Sequence, residues 1–148
     1  MNVLVLYQSR KGHTKAAAEA IAQVARGLNH EVAVKSVIEV LQADVERADV
    51  LFVGTWVQGF ILFGVRPAGA DLWAAALPSL DGKPVGVFCT YLFNPRGSLG
   101  MLGDLLAARG GTLVGQRAFH QSRTDDGAEP FVQSALQAAV RPFDAISE

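Results

Sequence analysis

The chain has 148 residues, of which 50% are hydrophobic, so it has the length of one ordinary domain and enough apolar side chains for a core. Its 13 Lys and Arg against 14 Asp and Glu give a formal net charge of -1. The chain as a whole therefore has no positive electrostatic field that would attract it to nucleic acid or to an anionic membrane. The one cysteine, Cys89, cannot form an internal disulfide. Because the first residues also lack the form of a cleavable signal, we expect a single domain over residues 1–148 that works in the reducing cytoplasm.

Short apolar runs alternate along the chain with segments of helical periodicity. This alternation is typical of βαβ units around a parallel sheet, and it predicts an α/β fold with a doubly wound sheet. The predicted strands are residues 2–7, 31–37, 50–55, 84–90 and 111–119.

The segments between the strands carry apolar stripes at helical spacing. Gly27 is the predicted stop of the first helix and Gly110 that of the fourth, whereas Pro142 marks a kink or an end in the last. A weaker helical segment covers residues 71–77. The stripes are Ala18, Ile21, Ala25 and Leu28, then Leu99, Leu102 and Leu106, then Val132, Leu136, Ala139 and Phe143.

The most apolar window, residues 50–65, predicts no membrane span. It is shorter than the roughly 20 residues that a spanning helix needs. It also contains three glycines and a glutamine. We therefore interpret it as a buried strand followed by an apolar loop.

Ligands of doubly wound sheets bind beyond the carboxyl ends of the strands, so the loops QSRKGHT, WVQGF and YLFNPRG are the candidates. The sequence has neither a dinucleotide fingerprint nor a Walker loop. Gln8 and Ser9 stand where a phospho-receiver needs an acidic pair. The three histidines lack metal-ligand spacing, and no Ser or Cys has a nucleophile signature, so hydrolytic and metal chemistry are disfavoured.

The first loop has the composition of a phosphate site. The hydroxyls of Ser9 and Thr14 flank Gly12, which lets backbone amides turn inward at the start of a helix. The helix dipole favours an anion there by roughly 0.3–1 kcal/mol at an exposed site. The same hydroxyls are equally typical of a helix N-cap, so from spacing alone both interpretations stay open.

This loop, YQSRKGHT, resembles the phosphate loop of flavodoxins, which follows a strand with the pattern S/T-x-T/S-G-N/H-T and opens a helix. ADVLFVGT, followed by an aromatic residue and a glycine, is similar to the second flavin loop of that family, and LPSLDGKPVGVFCTY to the approach to the third. The resemblance covers the whole chain and is closest to the short-chain class. It implies a flavodoxin-like sheet of five parallel strands in the order 2-1-3-4-5, with helices on both faces.

The resemblance further implies that FMN is the cofactor. It assigns the phosphate to the first loop, where Arg10 and Lys11 either complement its charge or point to water. It assigns the flavin ring to Trp56 and Tyr91, since a flat aromatic ring gains from stacking between aromatic planes, and redox tuning to the backbone at Gln58. The implied cofactor-binding residues are Ser9, Arg10, Lys11, Gly12, His13 and Thr14, then Thr55, Trp56, Val57, Gln58 and Gly59, then Thr90, Tyr91 and Gly97.

Several aromatic residues have more than one interpretation. Trp56 is alternatively a loop residue packed on apolar neighbours, whereas Trp73, which lies in a helical segment, is interpreted as core. Three interpretations stay open for Phe60, Phe63 and Phe93: they line the pocket, they cover an oligomer contact, or they are ordinary packing residues.

The implied function is electron transfer between redox partner proteins, a reductase and an acceptor, with FMN as the carrier and without a catalytic residue or a metal. Two alternatives stay open: an FMN-dependent NAD(P)H quinone reductase, and a binding module of this fold that has lost FMN. Two features depart from the family, because the second loop is unusually apolar and the third has no acidic residue.

Overall fold

A computed structural model of the chain describes residues 1–58, 66–67, 70–93, 95 and 97–147. The strands in this part of the chain are β1 (Asn2–Tyr7), β2 (Glu31–Ser36), β3 (Val50–Gln58), β4 (Arg66–Pro67), β5 (Pro84–Tyr91) and β6 (Thr112–His120). The helices are α1 (His13–Gly27), α2 (Gln42–Arg47), α3 (Ala70–Ala76), α4 (Ser98–Ala108) and α5 (Ala128–Ser147).

Five long strands form a parallel sheet in the order β2-β1-β3-β5-β6. Numbered among themselves, these strands have the order 2-1-3-4-5, so the predicted topology is confirmed. The short β4 pairs antiparallel with the end of β3, through Val57–Pro67 and Gln58–Arg66. The sequence does not predict β4, because two residues carry no periodic signal.

Helices cover both faces of the sheet, as predicted. Helices α1 and α5 pack on one face, against a cluster that includes Val5, Phe52 and Phe88. Helices α2, α3 and α4 pack on the other face, against a cluster that includes Leu6 and Val87. The central strands are therefore buried on both sides, which explains why they are continuous apolar runs in the sequence.

The predicted ends of the helices have different outcomes. Helix α1 ends at Gly27 as predicted, but Leu28 lies beyond it and is 38% exposed, so its assignment to the buried stripe is wrong. Helix α4 stops before Gly110, whose φ of +93° is the left-handed conformation that glycine favours. Helix α5 continues through Pro142, which is therefore not its end, and the side chain of Phe143 lies outside the described structure.

No helix among the described residues is long and apolar enough to cross a membrane.

Candidate functional site

The carboxyl ends of β1, β3 and β5 lie side by side at one edge of the sheet. Tyr7 at the end of β1 pairs with Gly54 of β3, and Trp56 of β3 pairs with Thr90 of β5. The three candidate loops therefore begin at the same edge. In doubly wound sheets this edge is where ligands bind, because the strand order reverses there.

The first loop turns into α1 at Gly12, which is the N-cap residue and has a φ of +91°. Glycine reaches this conformation without the steric penalty of other residues. The amide N–H of Gly12 donates a hydrogen bond to Ser9 Oγ at 3.0 Å, so the loop is closed by a contact of its own. No side chain caps α1, and neither Ser9 nor Thr14 is its N-cap, so the capping interpretation is wrong for both.

The first turn of α1 leaves backbone donors available. The helical hydrogen bonds begin with the N–H of Ala16, which donates to the carbonyl of Gly12 at 2.9 Å. Three earlier N–H groups have no acceptor among the described residues, and they belong to His13, Thr14 and Lys15. They lie at the positive end of the helix dipole, where an anion is stabilised.

Two exposed cations precede this turn in the chain. The side chains of Arg10 and Lys11 are exposed. Neither makes an ion pair within the described structure, in which the one ion pair is that between Lys35 and Asp44. Their charges are therefore available to an anion at the start of α1.

The hydroxyl of Thr14 points into the protein and meets the third loop. Thr14 Oγ1 lies 2.8 Å from Thr90 Oγ1, and the two residues are 1% and 2% exposed. Either hydroxyl donates to the other, so one of the two hydrogens is left over. This contact joins the beginning of α1 to the end of β5.

Gln8, which no motif assigned to the cofactor, joins the first loop to β3 and α3. Its Oε1 accepts hydrogen bonds from Thr55 Oγ1 at 2.9 Å and from Trp73 Nε1 at 2.6 Å. Its backbone N–H donates to the carbonyl of Gly54 at 3.0 Å. Trp73 is 8% exposed and packs in the core, as predicted. An amide side chain directly after a buried strand was the available signal for Gln8.

The second loop begins later than the sequence predicts, because β3 continues to Gln58. Trp56 therefore lies on a strand, where it and Val57 are half-buried. Gly59, Phe60 and Phe63 lie outside the described residues.

The two predicted stacking residues approach the edge from different sides. Trp56 is in register with Thr90, whose hydroxyl meets α1, and Tyr91 is the next residue along β5. Since neighbouring strand residues point to opposite faces, Trp56 projects toward the α1 face and Tyr91 toward the α4 face. They do not share a face of the sheet.

The third loop leads to α4, whose N-cap residue is Gly97. The next residue, Ser98, is 2% exposed, and its Oγ has no hydrogen-bond partner in the described structure. Such a buried hydroxyl is unusual, because buried polar atoms are normally paired. No motif in the sequence selected Ser98.

Thiolate and metal chemistry have little support from the described residues. Burial raises the pKa of the Cys89 thiol to about 12, so this group is held in its unreactive protonated form. In the part of the chain that the structure describes, no group of three or more His, Cys, Asp or Glu side chains is placed to hold a metal ion.

The model of the flavodoxin domain matches residues 4–100, and the chain belongs to this family. A comparison with curated proteins finds no match.

Solved flavodoxins share the fold over almost their whole length. The two-electron reduced flavodoxin of Megasphaera elsdenii is 21% identical, with a TM-score of 0.71 over 94% of this chain and 98% of that one. A flavodoxin of Streptococcus pneumonia TIGR4 is 20% identical, with a TM-score of 0.72 and coverages of 95% and 99%. Oxidised flavodoxin 2 of Bacillus cereus is 18% identical, with a TM-score of 0.73 and coverages of 93% and 99%.

Proposed function

We propose that the protein binds FMN at the carboxyl edge of its sheet and carries electrons between redox partner proteins. The observation that carries this proposal is the open first turn of α1, where three backbone N–H groups have no acceptor among the described residues. FMN differs from riboflavin by a terminal phosphate, and a phosphate is the kind of group that such a turn stabilises.

The phosphate would be held by donors from the first loop. Ser9 Oγ accepts from Gly12, which leaves its own hydrogen to donate. The exposed charges of Arg10 and Lys11 complement a dianion. The amides that donate to it are those of His13, Thr14 and Lys15.

The flavin ring would lie across the edge of the sheet. Because Trp56 and Tyr91 project from opposite faces, a planar group at this edge meets one aromatic side chain on each side. Thr55 and Thr90, which are also assigned to the cofactor, are buried on β3 and β5, where their hydroxyls bond Gln8 and Thr14. The other residues assigned to the cofactor are Val57, Gln58, Gly59 and Gly97, and the backbone at Gln58 and Gly59 would tune the redox properties of the ring.

Bound FMN would supply a group that accepts and releases electrons reversibly. The chain would bind the phosphate, orient the ring and keep one edge of it accessible to a partner. This role needs no side chain that transfers a proton to a substrate.

The test is a titration of the cofactor-free protein with FMN and with riboflavin. With two or more charge-assisted hydrogen bonds of roughly 1.5–3 kcal/mol each, we expect FMN to bind at least about 100-fold more tightly. Equal affinities would show that the phosphate is not held at α1. Absence of binding would leave the second alternative, a module of this fold that has lost FMN.

A second measurement separates the carrier from the quinone reductase. The FMN-loaded protein is mixed with NADH or NADPH and a quinone, and oxidation of the nicotinamide is followed under steady-state conditions. A carrier leaves the nicotinamide unoxidised unless a reductase is added, whereas rapid oxidation by the protein alone would favour the reductase.

A further inference from the structure

His120, the last residue of β6, contacts the third loop through Nε2 of its ring and the turn after β6 through Nδ1. The backbone N–H of Ser122 lies 3.2 Å from His120 Nδ1, and Ser122 Oγ lies 2.8 Å from it. Because a backbone N–H only donates, Nδ1 is the acceptor and the neutral ring carries its hydrogen on Nε2. That hydrogen is donated to the carbonyl oxygen of Leu92, 2.9 Å away.

The same imidazole supports the ring of Tyr91. The two ring centroids are 5.3 Å apart and the planes are inclined at 84°, which is an edge-to-face arrangement. The backbones are paired as well, since Tyr91 and His120 are partners across β5 and β6, and the N–H of Gln121 donates to the carbonyl of Tyr91 at 2.8 Å. One side chain therefore fixes both the tyrosine ring and the carbonyl of the residue after it.

We propose that His120 is a positioning residue for the flavin ring, an inference that rests on the proposed function. It fixes the angle of the Tyr91 ring by edge-to-face contact, and it fixes the start of the third loop by its hydrogen bond to Leu92. Since both contacts are on the ring side of the site, the loss of His120 affects binding of the isoalloxazine and leaves the phosphate contacts unchanged.

The experiment compares the affinities of FMN and riboflavin for variants of residue 120. His120→Phe keeps an aromatic edge against Tyr91 but has no donor for Leu92, whereas His120→Gln keeps a donor but no ring. His120→Ala removes both. Because one stacking contact and one hydrogen bond are lost, we expect His120→Ala to weaken both flavins by about three- to tenfold, with the single-loss variants between it and wild type.

Two controls make the result specific. Ser9→Ala is expected to weaken FMN alone, so the ratio of the two affinities changes there and stays constant in the His120 series. His30→Ala removes a histidine at the amino end of the sheet, where its Nδ1 accepts from the N-terminal amine, and is expected to leave both affinities unchanged. The emission and visible circular dichroism of bound flavin report the ring position, and far-ultraviolet circular dichroism verifies folding.

The proposal is overturned if His120→Ala binds both flavins as tightly as wild type with the same emission, or if its loss is confined to FMN. If His120→Ala does not fold, the Phe and Gln variants decide by the same criteria. A wild-type protein that binds neither flavin would overturn the proposed function, and this inference with it.

Discussion

The hydroxyl oxygens of Thr14 and Thr90 lie 2.8 Å apart in the core, although the two residues are separated by 76 positions in the chain. Their contact joins the first turn of α1 to the carboxyl end of β5. It therefore joins the loop proposed to bind the phosphate to the loop proposed to contact the flavin ring. A change on either side alone leaves the other hydroxyl buried without its partner.

Thr14→Val keeps the shape of the side chain but leaves the Thr90 hydroxyl unpaired, so the free energy of unfolding is expected to fall by about 1–3 kcal/mol. Replacing both threonines by valine removes both polar groups. The double variant is therefore expected to be more stable than the sum of the two single losses predicts. Urea unfolding of the cofactor-free proteins measures the four values, and strictly additive losses would contradict a direct contact.

Gln8→Ala removes the acceptor shared by Thr55 and Trp73, which leaves two buried donors unpaired. We expect the free energy of unfolding to fall by at least about 2 kcal/mol. Gln8→Glu keeps an acceptor oxygen and is expected to be less harmful than the alanine. Gln23→Ala, at an exposed position on α1, is the matched control. Equal stability of Gln8→Ala and the control would show that the network contributes little.

Replacing both Arg10 and Lys11 by glutamine tests whether their charges act on the phosphate. We expect the affinity for FMN to fall about three- to tenfold at low salt, because exposed charge pairs are individually weak. The loss should shrink at high salt, since exposed charges are screened. Riboflavin should bind as before, and Arg26→Gln, at the far end of α1, should change neither flavin. A loss shared by both flavins would place these cations near the ring instead.

The two tryptophans should respond differently to phenylalanine. Trp56→Phe is expected to increase the emission of bound FMN, because an aromatic ring in contact with the flavin quenches it. Trp73→Phe removes the hydrogen bond to Gln8 and core volume, so it should lower stability and leave the emission unchanged. If Trp56→Phe changes neither emission nor affinity, Trp56 is a packing residue and Tyr91 alone remains for stacking.

The acid side of the stability curve depends in part on Asp44. The hydrogen bond from the Lys35 ammonium, followed by the one from the Leu41 N–H, lowers the pKa of this carboxyl below its usual 3.8. Its contribution is therefore fully present above pH 3.8 and is lost as the pH falls through the lower folded-state pKa. Asp44→Asn should lower stability at neutral pH, and its difference from wild type should shrink as the pH falls below 3.8. A constant difference from pH 7 to pH 2 would contradict this.

The alternation of strands and helices could be predicted from the sequence because each element carries its own period. Phe52 and Leu51 show why β3 is a continuous apolar run: they are neighbours that face different helical layers, and both are fully buried. Local chemistry likewise placed Gly27 at the end of α1. The order of the strands, by contrast, came from the resemblance of YQSRKGHT and the later loops to a family.

Only the tertiary structure decided how the candidate site is held together. Gln8 contacts Thr55 and Trp73, which lie 47 and 65 positions further along the chain. Tyr91 contacts His120 on the neighbouring strand. These pairs depend on which strands are neighbours and on their register, and neither property leaves a periodic signal in the chain. The start of α1 is a similar case, because the φ of Gly12 rather than the capping preference of Ser9 or Thr14 sets it. Local sequence determines what each element is, whereas long-range contacts determine which side chains meet.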